Sequence, residues 1–295
     1  MKHTFLSDGG QRIIDGYEEP VRLASGYVFT EGPVWSVNQD CLFFSNFTDN
    51  TVYSLKPGSK PVLFRRESGR AVGLFLRQDG NLDAAETASH AVTVMYPDHS
   101  EIIADNYRGS MLNSPNDVII RSDGAVVFTD PYSVAMGGPR ELDFNGFYLV
   151  PFVNGHYGDT ILLDTMERPN GLVYSPDESI LYVNDTNQNL IRAFRCGKDN
   201  TVSFVKVFAV LDPSYGNGVA DGMKVDREGN VYVTGPGGIW VLDPSGKPLV
   251  ILHFDEFVGN FCFGDTDGRS LYAATSTSVC RIRVKIPGIL PHLEE

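Results

Sequence analysis

The chain has 295 residues, 42% of them hydrophobic, and a formal net charge of −13. The apolar fraction supports a sizeable core and excludes a disordered chain. The acidic balance argues against a nucleic-acid partner, whose phosphates need a basic face.

At the N-terminus, MKHTFLSDGG has no apolar segment of the kind that drives secretion. No run approaches 18 apolar residues, so no membrane span is expected. Cys41, Cys196, Cys262 and Cys280 form no CxxC pair, which argues against a zinc knuckle. The expectation is a cytoplasmic protein with free thiols.

Tight-turn signals then recur along the chain. They stand at Asn38-Gln39, Asp79-Gly80, Asp123-Gly124, Asp177-Glu178, Glu228-Gly229 and Asp267-Gly268. Each is followed by a β-rich run: CLFFSN, NLDAAE, AVVFTD, ILYVND, NVYVTG and SLYAAT. Val, Ile, Tyr and Phe favour strands, and Asn, Asp and Gly supply the turns. A third strand and a second turn follow in most copies, as in TVYSLKPGSKPVLF and GIWVLDPSGKPLVIL. Four short antiparallel strands at a period of roughly 40–50 residues mark a propeller blade. Six copies predict an all-β, six-bladed propeller in one domain spanning residues 1–295.

The last copy lacks a fourth strand, because only KIPGILPHLEE follows VCRIRV. A spare strand lies near residues 20–24, at Pro20-Val-Arg-Leu-Ala24. It is expected to complete the last blade and close the ring, which removes two exposed sheet edges. Residues 1–19 form an additional arm.

The connections are unequal. First turns are short throughout, whereas long segments at 105–115, 131–144, 164–169 and 211–220 belong to the opposite end of the ring. Long loops on a rigid scaffold usually carry binding or catalysis. Each inner strand also begins at that end. Counting back seven residues from each first turn reaches Glu31, Val72, Asn116, Asn170, Asp221 and Asn260. Five of these six carry a side-chain oxygen, and pseudo-symmetry brings all six to the axis. Asn and Asp also occur before strands for local reasons, but Glu31 has no turn role. Carboxylates and amide oxygens around one axis suit a hard cation. Ca²⁺ heads the candidates for one divalent ion, with Mg²⁺, Mn²⁺ and Zn²⁺ as alternatives. Tyr132, Met136 and Arg140, in the longest loop, are candidate substrate contacts. Asp130 and Asp185 end second strands near the same face, where capping of the strand ends is the simpler expectation.

EGPVW, NSPNDVIIRSDGAVVFTDP, RPNGLVYSPDESILYVNDT and ADGMKVDREGNVYVTGPGGIWVLDP resemble the SMP-30/gluconolactonase/luciferin-regenerating-enzyme-like family of metal-dependent lactonases. The resemblance runs from about Pro20 to Gly288. It implies a metal held by Glu31, Asn170 and Asp221. It also implies that Asn116 contacts substrate or metal and that Asp221 serves as general base. The implied reaction is hydrolysis of a small-molecule lactone, such as an aldonolactone. Two other readings remain open: a phosphotriesterase-like hydrolase at the same metal, and a non-catalytic ligand-binding propeller. The chain departs from the family pattern at Val72, where Asn is usual. Ala85-Glu86-Thr87-Ala88 replaces the usual Cys-Glu-His-Gly. Ser114 stands where one subgroup carries Arg.

Overall fold

The strand Val21–Ser25 joins the chain's two ends by pairing antiparallel with Ser278–Arg283. This computed structural model describes residues 2–133 and 139–290. The pairing joins Val21–Ser25 to Val258–Gly264, Ser270–Thr275 and Ser278–Arg283 in one four-stranded sheet. That sheet is blade 6, closed by the N-terminal strand as the sequence predicts.

Blades 1 to 5 follow in chain order, each an antiparallel meander. Their inner strands are Thr30–Ser36, Ala71–Leu76, Val118–Ile120, Pro169–Tyr174 and Met223–Val225. Two small hairpins decorate the scaffold, Asn106–Tyr107 with Ser110–Met111, and Phe152–Val153 with His156–Tyr157. The N-terminal arm is not a loose tail. His3–Phe5 adds a fifth strand to blade 5 by pairing with residues 250–252, a 3₁₀ turn follows at Asp8–Arg12, and Ile13 and Ile14 are buried. Among the described residues, no helix is long and apolar enough to cross a membrane.

Blades hold together through faces that are buried on both sides, so second strands such as Cys41–Asn46 and Val231–Gly235 are buried throughout. Aromatic side chains fill the joints. Trp35 of blade 1 stacks on Tyr272 of blade 6, with ring centroids 4.9 Å apart, and both are about fully buried. This pair lies at the joint that closes the ring. Near the axis the backbones themselves touch. A Cβ on Gly32 would meet the Val72 carbonyl oxygen at 2.0 Å, and one on Gly171 would meet the Asp221 carbonyl oxygen at 1.9 Å. Only glycine permits that approach.

Trp35→Ala is expected to lower stability by about 3–5 kcal/mol, the usual range for removing a large buried aromatic. Ile102→Ala, at a site 64% exposed, should change it by less than about 0.5 kcal/mol. Urea denaturation of both variants checks the difference.

Candidate active site

The six matched positions lie at or just before the starts of the inner strands at one end of the ring, and one local device recurs in blades 1, 3 and 4. At the end of a second strand, a carboxylate or amide accepts backbone N–H groups from the segment that leads into the matched residue of its own blade. Asn46 Oδ1 accepts from Val28 and Phe29, ahead of Glu31, at 3.1 and 3.2 Å. Asp130 accepts from Asn113 and Ser114, ahead of Asn116, at 2.8 and 2.7 Å. Asp185 accepts from Glu167 and Arg168, ahead of Asn170, at 3.0 and 3.2 Å. Asp130 and Asp185 are therefore more than strand caps, because they anchor the loops that deliver two of the matched residues.

A second device ties each of blades 1 to 4 to the next. Side chains in or just past the second strand donate to backbone carbonyls at or just before the start of the following inner strand. Ser45 Oγ reaches the Val72 carbonyl at 3.4 Å, Thr129 Oγ1 the Asn170 carbonyl at 2.7 Å, and Thr87 Oγ1 the Pro115 carbonyl at 2.9 Å. Asn184 Nδ2 donates to the Asp221 carbonyl. Backbone amides add to these links: Gly73 N–H donates to the Asn116 carbonyl at 2.7 Å and Gly222 N–H to the Gly259 carbonyl at 3.0 Å.

These links bring Glu31, Asn116, Asn170, Asp221 and Asn260 into one cluster. Asn116 Nδ2 donates to Asn170 Oδ1, and Asn170 Nδ2 donates to Thr186 Oγ1 at 3.0 Å. Asn170 is also hydrogen-bonded to the Asp221 carboxylate, and Asn260 to that of Glu31. Glu31, only 2% exposed, further accepts from Gly32 N–H at 2.9 Å. Val72 is buried and leaves one side of the ring apolar.

Burial raises Glu31 and Asp221 above the ordinary carboxylate range. The charge of Glu31 raises Asp221 further. Asp117, 3% exposed, adds to this repulsion on both groups. It was not among the sequence candidates. The column one residue past the ring reads Gly32, Gly73, Asp117, Gly171, Gly222, Phe261, so a carboxylate in a mostly glycine column was the available signal.

The donor set fits a hard divalent ion. It consists of carboxylate and amide oxygens, and it concentrates negative charge at one point on the axis. Among the described residues, no group of three or more His, Cys, Asp or Glu side chains is placed to hold a metal, so amide oxygens would have to share the coordination with Glu31 and Asp221.

Two of the loop-borne candidates, Tyr132 and Arg140, contact each other. The Arg140 guanidinium sits over the Tyr132 ring, 5.0 Å from its centroid, and donates to the Leu142 carbonyl at 2.7 Å. Tyr132 N–H and Arg140 both donate to Asn145 Oδ1. Met136 falls outside the described residues.

Fold and site define a closed six-bladed propeller with an acidic, oxygen-lined centre at its loop-bearing end. The SMP-30/Gluconolactonase/LRE-like region matches residues 29–277, and the chain belongs to that family. A gluconolactonase of Zymomonas mobilis is 30% identical over 295 residues, covering 90% of this chain and 81% of that protein. A 6-deoxy-6-sulfogluconolactonase of Pseudomonas putida is 26% identical, covering 84% of each chain. The structure of a gluconolactonase from Xanthomonas campestris has a TM-score of 0.87 at 25% identity, covering 96% of this chain and 95% of that one. The protein is a lactonase-type enzyme.

The raised pKa of Glu31 gives a stability test. A carboxyl whose folded pKa is raised favours folding below its unfolded pKa, and this contribution is lost as pH rises through the folded pKa. In chelator-treated protein, Glu31→Gln removes that loss. The variant should match wild type near pH 4.5 and exceed it by a few °C in Tm near pH 8, for an effect on the order of 1–3 kcal/mol. Thermal scans across this window check the sign.

Proposed function

We propose that the axial ring is a divalent-metal site for opening a small lactone, with Ca²⁺ the first candidate and Mg²⁺, Mn²⁺ or Zn²⁺ as alternatives. The observation that carries this reading is the juxtaposition of buried Glu31 and half-buried Asp221, whose charges oppose each other in a ring whose other polar members are the amides of Asn116, Asn170 and Asn260. Glu31, Asn116, Asn170 and Asp221 would hold the ion. When bound, it would polarise the lactone carbonyl and stabilise the oxyanion that develops there.

The chain's own side chains supply the rest. Asp221 accepts the proton from the attacking water, a role suited to a carboxylate whose basicity is raised by burial. Asn170, hydrogen-bonded to both Asp221 and Asn116, holds the base in register with the substrate side of the ring. Asn116 orients the substrate. Its loop is clamped by Asp130, so its position is set before any ligand arrives. Glu31 neutralises charge and anchors the ion rather than moving a proton. At the rim, Tyr132 and Arg140 form a joined aromatic and cationic surface suited to the hydroxyl groups of a sugar lactone and to the carboxylate product. Relatives named for gluconolactone-type substrates support a sugar lactone.

Val72 favours a second reading. Its apolar side chain in the ring suits a less polar substrate, including a phosphotriester at the same centre. A pH-indicator assay over aldonolactones, aromatic lactones and phosphotriesters, each with and without EDTA, separates the two. EDTA-sensitive opening of a lactone is expected. Hydrolysis of none of the three would leave a non-catalytic ligand-binding propeller.

Glu31→Ala and Asp221→Ala should each lower kcat/KM for the best lactone by at least about 10³-fold, with the β-sheet circular dichroism spectrum retained. Turnover at the wild-type level in metal-free Glu31→Ala would overturn the assignment.

A further inference from the structure

Two ring amides, those of Asn116 and Asn170, are joined side chain to side chain. Such a pair can share one hydrogen bond in either direction, because each amide carries both a donor and an acceptor. In the structure Asn116 Nδ2 donates and Asn170 Oδ1 accepts. Nothing within the pair prefers this direction to its reverse. The choice is made outside the ring, at Thr186.

Thr186 is the first residue past the second strand of blade 4, Ile180–Asp185. Its backbone N–H donates to the Arg168 carbonyl at 3.0 Å, which fixes it beside the loop that leads to Asn170. Its hydroxyl stands between two blades. It donates to the Ala220 carbonyl, directly ahead of Asp221, at 2.8 Å. On its other side Asn170 Nδ2 lies at 3.0 Å. A hydroxyl has one proton. Ala220 is fully buried, so turning that proton away would strip a buried carbonyl of its bond, which is costly. With the proton committed to Ala220, Thr186 can only accept from Asn170. The amide nitrogen must therefore face Thr186, and the amide oxygen must face Asn116 and the ring.

Blade 2 carries half of the same device. Thr87 is likewise the first residue past its second strand, Leu82–Glu86, and its hydroxyl donates to the Pro115 carbonyl, directly ahead of Asn116, at 2.9 Å. The ring residue of that blade is Val72, which has no side-chain proton to offer. Thr87 only ties one blade to the next, whereas Thr186 ties blades and also orients a ring side chain. Asp221, another partner of Asn170, is itself a member of the ring. Thr186 is not, so it holds the amide whatever the ring carries.

We propose that Thr186 is a positioning residue for the ring: its hydroxyl sets the Asn170 amide with the oxygen inward, so that Asn170 offers a divalent ion an oxygen and not an N–H group. This rests on the metal reading of the ring given above. Thr186 acts through Asn170, not on the ion. Without its hydroxyl the Asn116–Asn170 pair is free to reverse, and in the reversed pair Asn170 turns a donor toward the ring.

The test is calorimetric titration of the chelator-treated whole chain with CaCl₂ and MnCl₂, with metal-free thermal scans to establish that each variant is folded. Thr186→Val keeps the shape of the side chain and removes the hydroxyl, and should weaken Kd by at least about tenfold. Thr186→Ser keeps the hydroxyl and should stay within about threefold of wild type. Asn170→Asp supplies the decisive background, because a carboxylate presents oxygen whichever way it turns. In that background, adding Thr186→Val should change Kd by less than about threefold. A merely structural role for Thr186 predicts the same loss in both backgrounds, and equal weakening in the two overturns the proposal. Wild-type affinity in Thr186→Val also overturns it and leaves the metal reading standing. If Thr186→Val does not fold, Thr186→Ala must show the same dependence on background. Absence of divalent binding to wild type overturns the metal reading and this proposal together.

Discussion

The closure of the ring at its axis is the constraint on which the rest of the structure depends. Six inner strands meet there so closely that the backbone of one blade touches the first residues of the next. Gly32 against Val72 and Gly171 against Asp221 leave no room for a side chain. This proximity places Glu31 and Asp221, 190 residues apart in sequence, close enough for the charge of one to raise the pKa of the other. The repulsion would be costly in an isolated core. It persists here because the strands that carry the two groups are held by blade packing, not by the groups themselves.

Two layers of hydrogen bonding translate that closure into geometry. Within a blade, Asn46, Asp130 and Asp185 each accept a pair of backbone N–H groups and so fix the approach to Glu31, Asn116 and Asn170. Between blades, Ser45, Thr87, Thr129 and Asn184 donate to carbonyls at the start of the next inner strand. The functional oxygens are thus positioned by rigid elements, while the longer connections around them are free to differ among relatives. The N-terminal arm contributes at the periphery, where His3–Phe5 covers the outer edge of blade 5 and blunts an exposed strand.

Much of this was legible before any coordinates. Turn chemistry at six sites, alternating with β-branched and aromatic runs, implied the blades, and the missing last strand implied closure by residues near 20–24. The axial set Glu31, Asn116, Asn170, Asp221 and Asn260 followed from counting back from the turns. Other parts were not legible. Asp130 and Asp185 read as strand caps, because their partners are loop amides 16–18 residues away. Asp117 was masked by its neighbour Asn116. Its importance rests on burial at a position where four of six blades have glycine, and burial is not a property of a single residue in a string.

What the sequence by itself determined is the repeat: a short-range code of turns and strands that specifies four-stranded blades, their number and which residue of each faces the axis. That information is local, and local propensity and period carry it. The tertiary structure alone decided the electrostatics. Which carboxylates lose their water and which charges face one another across the channel, as Glu31 and Asp117 face Asp221, depend on distances between blades far apart in the chain. Coulomb energy and desolvation follow those distances and that burial, and only the closed ring sets both.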